Sequence, residues 1–222
     1  MKKLTFLVAG LLCLQMAQAQ QQKSGKISYD ITINVHASLR PDQQQFKDIL
    51  PATATTEATL YFNGSHAKTV MPGPKDMESE EGNTRMTLRA GSGQDIARYI
   101  DPATTSVYSL QQDGNGKKKL IQKPYNASTD NEKYKVGTKT KTILGFVCKE
   151  ITVKNNNDKT TLWVTDQLPF QGGVIGIYSP YGAVLAFETN RMQCTATNIK
   201  YEDVNEAEVM LPKDLPIEQE SK

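Results

Sequence analysis

The chain has 222 residues, with 26 basic side chains against 24 acidic ones. Lys2 and Lys3 fall in a segment read below as a leader; without them 24 stand against 24, which excludes a global electrostatic attraction to nucleic acid. The length suffices to bury one sizeable core, and all-β domains of this size commonly stay undivided.

Met1-Lys2-Lys3 is a short positive region, residues 4–14 are nearly all apolar, and Ala17-Gln18-Ala19 puts small residues where a signal peptidase cuts. This pattern predicts a signal peptide over residues 1–19, cleavage after Ala19, and export to the periplasm or the cell exterior. The apolar run is too short to span a bilayer, which takes about 20 residues, and no later segment is long and apolar enough to be a transmembrane helix. Leu11 and Leu12 are too bulky for a lipoprotein cleavage box before Cys13, so no lipid anchor is expected. Removal of Cys13 leaves Cys148 and Cys194. An even pair in an oxidising compartment predicts one disulfide; two buried free thiols are the alternative.

Ile27, Tyr29, Ile31, Ile33 and Val35 alternate with polar residues, the pattern of a half-buried strand. Residues 41–50 suit one short helix, opened by Pro41, with Phe46, Ile49 and Leu50 on one face and Pro51 at its end. Residues 55–62 and 65–71 flank Asn63-Gly64, a strong hairpin signal because both central residues must take positive φ. Residues 72–83 are polar and read as a mobile loop. Strands follow at 84–89, 96–100, 106–110 and 118–122, the last entered through the turn Asp113-Gly114-Asn115-Gly116. Residues 123–138 read as irregular. The β pattern returns at 139–143, 146–153, 159–165, 183–189 and 192–201, with a glycine-rich loop over 171–182. The tail, 202–222, holds seven acids and two lysines and is expected to be loosely held. The fold class is therefore mainly β: a curved antiparallel sheet or half-barrel of about ten strands, with one short helix over the concave face, forming a single domain over residues 20–201.

The search for chemistry yields no catalytic set. His36 and His66 sit at strand ends, far in sequence from any nucleophile, and the chain has no G-x-S-x-G elbow. Zinc-ligand spacings and a phosphate loop are absent, so neither metal nor cofactor is expected. Asp76, Glu78, Glu80 and Glu81 lack the spacing and the glycine of a calcium loop. A basic stretch, Lys117, Lys118, Lys119, Lys123, Lys133, Lys135, Lys139 and Lys141, has two readings. It can face anionic lipid headgroups in peripheral membrane contact, or it can guard strand edges against unwanted pairing. The aromatic residues Tyr29, Phe62, Tyr108, Trp163, Tyr178, Tyr181 and Phe187 are the candidate lining of an apolar ligand pocket, and each can equally be core.

Several segments resemble an exported bacterial family of unassigned activity named for a GLPGLI signature. These are Ala58-Thr59-Leu60-Tyr61-Phe62-Asn63-Gly64 with Lys68, residues 101–108, Thr142-Ile143-Leu144-Gly145-Phe146-Val147-Cys148-Lys149, and Leu162-Trp163-Val164-Thr165. At the place of the signature itself this chain reads Ser179-Pro180-Tyr181-Gly182-Ala183-Val184-Leu185. The resemblance implies a half-barrel similar to that of the LolA/LolB lipoprotein carriers, and it brings no catalytic residues. The expected function is a non-enzymatic periplasmic binding or carrier domain for an apolar or lipid-like ligand. The alternative is a structural or interaction protein of the envelope with a filled core, docking an envelope protein.

Overall fold

The computed structural model describes residues 23–73, 75–78, 85–88, 95–125, 134–155 and 158–220. The expected leader and the carboxylates Glu80 and Glu81 lie outside them. In chain order the strands are β1 (Ser24–Asn34), β2 (Thr53–Asn63), β3 (His66–Val70), β4 (Lys75–Glu78), β5 (Arg85–Leu88), β6 (Asp95–Asp101) and β7 (Ser106–Gln112). They continue with β8 (Lys118–Pro124), β9 (Tyr134–Ile143), β10 (Phe146–Asn155), β11 (Asp158–Thr165), β12 (Ala183–Glu188), β13 (Met192–Tyr201) and β14 (Ile217–Gln219).

Twelve of these strands form one open sheet in the order β14-β8-β7-β6-β3-β2-β1-β13-β12-β11-β10-β9. All neighbours are antiparallel except β14 against β8. The mainly β, single-sheet expectation therefore holds, with twelve strands where about ten were expected. The extra strand at one edge comes from the tail. Among the described residues β4 and β5 pair only with each other, so part of the loop expected over 72–83 is a strand.

The alternating pattern works as the sequence predicts. Ile27, Tyr29, Ile31 and Ile33 of β1 are buried on one face. They share a cluster with Leu60 and Phe62 of β2, Val107 of β7, Ile151 of β10, Leu162 and Val164 of β11, and Phe187 of β12. Strands so far apart in the sheet order reach one cluster because the sheet curls, as large twisted sheets do.

Four expectations are corrected. The helix predicted over 41–50 is a short 3₁₀ helix, Pro41–Phe46, with no buried residue of its own. Phe46 and Leu50 pack with Val35, Leu39 and Ala54 in a small separate cluster, so this segment does not cover the concave face. β1 stops at Asn34 because its side chain caps the one-turn helix Val35–Ser38, accepting from the Ala37 N–H at 3.0 Å. The hairpin turn after β2 is Gly64-Ser65, one residue later than predicted. Asn63 stays in the strand, and its amide donates to the Val204 carbonyl at 2.8 Å.

The tail is not loosely held. Val204 and Val209 are buried, and Leu211 and Leu215 pack on Ala97, Tyr99, Tyr108, Leu110 and Leu120. Ion pairs Lys119–Glu218 (2.7 Å) and Lys123–Glu220 (3.0 Å) align β14 on β8. Two of its acids neutralise part of the lysine stretch, and its apolar residues cover the outer face of β6–β8.

Cys148 and Cys194 are free buried thiols, so the expected disulfide is not formed. Cys148 lies on β10 and Cys194 on β13, with β11 and β12 between them. That is three steps of about 4.8 Å along the sheet, and a bridge needs Cα atoms closer than about 7 Å.

Candidate functional site

The concave side of the sheet is filled by the chain itself. Residues 166–182 leave β11 and fold into the hollow before β12 begins, carrying the 3₁₀ turn Val174–Gly176. Leu168, Phe170 and Val174 are buried in the main cluster, and the Phe170 ring lies 5.1 Å from that of Phe62. Glycines permit this path. Gly172 has φ of +79°, and a Cβ there would stand 2.7 Å from the Ile177 carbonyl; at Gly182, with φ of +130°, it would collide with the Thr165 carbonyl. Backbone bonds close the loop: the Gly172 N–H donates to Gly182 O (2.9 Å) and the Val184 N–H to Gly172 O (2.8 Å).

Arg98 of β6 pins the loop from the sheet. Its guanidinium donates to the Ile175 carbonyl and, at 2.9 and 2.6 Å, to Asp95 Oδ2. Asp95 also accepts from Gln111 at 2.9 Å. Among the described residues no buried side-chain nitrogen or oxygen lacks a partner.

Most of the seven candidate aromatic residues are core. Tyr29 is fully buried, its hydroxyl donating to the Val184 carbonyl at 3.0 Å. Burial, reinforced by Cys194 and Cys148, pushes its phenol well up. Phe62 and Phe187 are buried in the main cluster. Tyr108 faces the other side, beneath the tail, and donates to Thr104 Oγ1 at 3.1 Å. Trp163 is half-buried, with the Lys141 ammonium 4.4 Å over its ring, and partial burial lowers the pKa of that lysine.

Tyr178 and Tyr181 stand outside that core and are linked to two tyrosines that the sequence reading missed. Tyr125, just past β8, stacks on Tyr178 with centroids 3.5 Å apart. Tyr134, opening β9, meets Tyr181 edge-on at 6.3 Å. The Tyr178 hydroxyl donates to Gln171 Oε1 at 3.0 Å and that of Tyr125 to the Asp101 carbonyl at 3.2 Å. Burial and then the neighbouring phenol push up the pKa of Tyr125, Tyr134 and Tyr178. β8 and β9 stand near opposite ends of the sheet order, so the four rings gather where the curled sheet brings its two ends close. Tyr125 and Tyr134 lie within the segment read as irregular, 123–138, whose last residues are strand β9, and no local signal in the sequence pairs them with the loop.

On the face of β1 and β2 away from Tyr29 lies a polar groove of about 730 Å³, lined by Asp30, Thr32, Thr55, Thr56, Glu57, Pro72 and Gly73. None of the seven candidates lines it. His36 Nε2–H donates to the Leu50 carbonyl at 3.0 Å beside the small cluster, away from both features. No group of three or more metal-ligating side chains stands together among the described residues.

Residues 99–217, more than half of the chain, match the family described as the N-terminal domain of N-glycanase (PNGase F-II). The chain belongs to that family. Two solved structures of PNGF-II, in space groups P21 and C2, share its fold with TM-scores of 0.56 and 0.57 at 15% and 14% identity. Both alignments cover 89% of this chain and 32% and 31% of PNGF-II, so the chain spans about a third of the length of PNGF-II. At these identities the likeness is one of fold. No curated protein matches the chain in sequence.

Proposed function

We propose that this chain is an exported, non-enzymatic interaction domain of the bacterial envelope that engages a glycan-bearing partner through its surface. One observation carries the choice over a lipid carrier: the hollow of the sheet is occupied by Leu168, Phe170 and Val174 from the chain's own loop. A carrier of the LolA/LolB kind needs that hollow free, because an apolar ligand gains affinity only by leaving water for an enclosed apolar space. In this reading the half-barrel is a packed scaffold, and binding falls to the polar and aromatic groups at its rim. Family membership supplies the partner class, since the matching family is named for an N-glycanase.

The test uses the chain from residue 20 onward and ribonuclease B, an N-glycosylated protein, against ribonuclease A, the same polypeptide without the glycan. Immobilised domain is expected to retain ribonuclease B over ribonuclease A and to leave its gel mobility unchanged. Equal retention of the two overturns the glycan reading, and a mobility shift to that of ribonuclease A overturns the non-enzymatic one. Lipid found by native mass spectrometry of gently purified protein restores the carrier reading.

A further inference from the structure

We propose that Tyr125, Tyr134, Tyr178 and Tyr181, together with Gln171, form a carbohydrate-binding platform at the rim of the curled sheet. This deepens the reading above and rests on it, naming the surface that takes the glycan. The four rings come from three separate stretches of chain, the end of β8, the start of β9 and the loop before β12. They converge in one stacked pair at 3.5 Å and one edge-to-face pair at 6.3 Å. Here all four keep exposed area, and Tyr181 keeps 40% of its surface.

The chemistry fits a pyranose. Its C–H face is weakly positive and packs on the negative face of an aromatic ring, while its rim of hydroxyls needs donors and acceptors in the ring plane. Tyrosine supplies both at low entropic cost, having only two side-chain torsions to fix. Gln171 adds an amide already oriented by the Tyr178 hydroxyl at 3.0 Å, with its own N–H₂ 3.4 Å from the Pro180 carbonyl. All five side chains are neutral at pH 7 and offer hydrogen-bonding groups that match the hydroxyls of a neutral sugar. The Tyr125 and Tyr178 hydroxyls and the Gln171 amide are already bonded within the protein, and their oxygens keep acceptor capacity that a sugar hydroxyl can use and an apolar chain cannot. A proline-rich peptide is the other ligand that stacks on tyrosine ridges, so it is included in the test.

The probe is N,N′-diacetylchitobiose, the disaccharide that joins N-glycans to asparagine, titrated into ¹⁵N-labelled chain from residue 20. Shifts are expected in the backbone signals of Gln171, Tyr178 and Tyr181. Tyr181→Ala, at the most exposed ring, is expected to weaken both chitobiose and ribonuclease B binding at least tenfold with an unchanged circular dichroism spectrum. Tyr178→Phe, which keeps the stack and removes the hydroxyl, is expected to weaken them severalfold. Tyr61→Phe on β2 is the control and leaves both intact. If ribonuclease B still binds and neither rim variant weakens it, the platform is wrong and the glycan reading survives. If ribonuclease B is not preferred over ribonuclease A, both fall together. Displacement of chitobiose from the rim by a proline-rich peptide of higher affinity assigns the surface to peptide and overturns the proposal.

Discussion

At the scale of single residues, Cys148 and Cys194 give the sharpest tests. Both are buried as free thiols, and burial, with Asp30 nearby, pushes Cys194 up to about 12 while burial also raises Cys148. Thiolate is the reactive form, so neither reacts readily in the native state. Ellman's reagent on unreduced chain from residue 20 should find no thiol in buffer and two in denaturant; a disulfide would give none in either. The same shifts predict alkaline sensitivity. Below the ordinary thiol pKa of 9.0 both states of the protein hold these protons, and no penalty arises. Above it the unfolded chain releases them while the folded one keeps them, so stability falls as pH rises from about 9 toward 12, by about 4 kcal/mol for Cys194 at most. The raised phenol of Tyr29 adds to the loss above pH 10. Thermal unfolding scans at pH 7, 9 and 10.5 should show a falling midpoint, and Cys194→Ala should flatten the decline.

At the scale of elements, the loop over 166–182 and the tail are each held by a few specific contacts. The Arg98 side chain is 18% exposed and Asp95 1%, so their ion pair is largely desolvated. Removing one partner leaves a buried charge uncompensated, and Arg98→Ala should cost about 3 kcal/mol. Hydrogen exchange should then rise first at the amides of Gly173 and Ile177, whose bonds lie within the pinned turn. A midpoint shift without faster exchange there would mean that Arg98 stabilises the sheet and not the loop. Deleting residues 203–222 should expose Leu120, Tyr108 and Tyr99 on the outer face of β6–β8. Binding of an apolar dye and loss of cooperative unfolding are the expected readouts. The fate of the tail was not legible from its composition. Seven acids suggest a solvated segment, yet the spacing of Val204, Val209, Leu211 and Leu215 meets an apolar patch contributed by strands nearly a hundred residues earlier. The helix predicted over 41–50 failed for the converse reason: Phe46 and Leu50 found a local partner in Val35 and Leu39, and two 3₁₀ turns sufficed.

At the scale of the whole molecule, the expectation to check first is export. Expressed with its first residues in a bacterial host, the protein should be recovered from the periplasm or medium with Gln20 as its amino-terminal residue. A cytoplasmic product starting at Met1 would remove the envelope from the functional reading.

The one-dimensional pattern determined most of the strands, their inward faces and the single-sheet class, because side-chain alternation is a local property with a period of two. It also marked Tyr178 and Tyr181 as candidates. Tertiary structure decided everything that depends on which distant segments meet. Curling of the sheet brought the ends of β8 and β9 to one rim and so joined Tyr125 and Tyr134 to the site. It sent the glycine-rich loop inward to fill the hollow, and it set two strands between the cysteines. Those outcomes follow from closure of long loops against a common core, and no local window of residues encodes that balance.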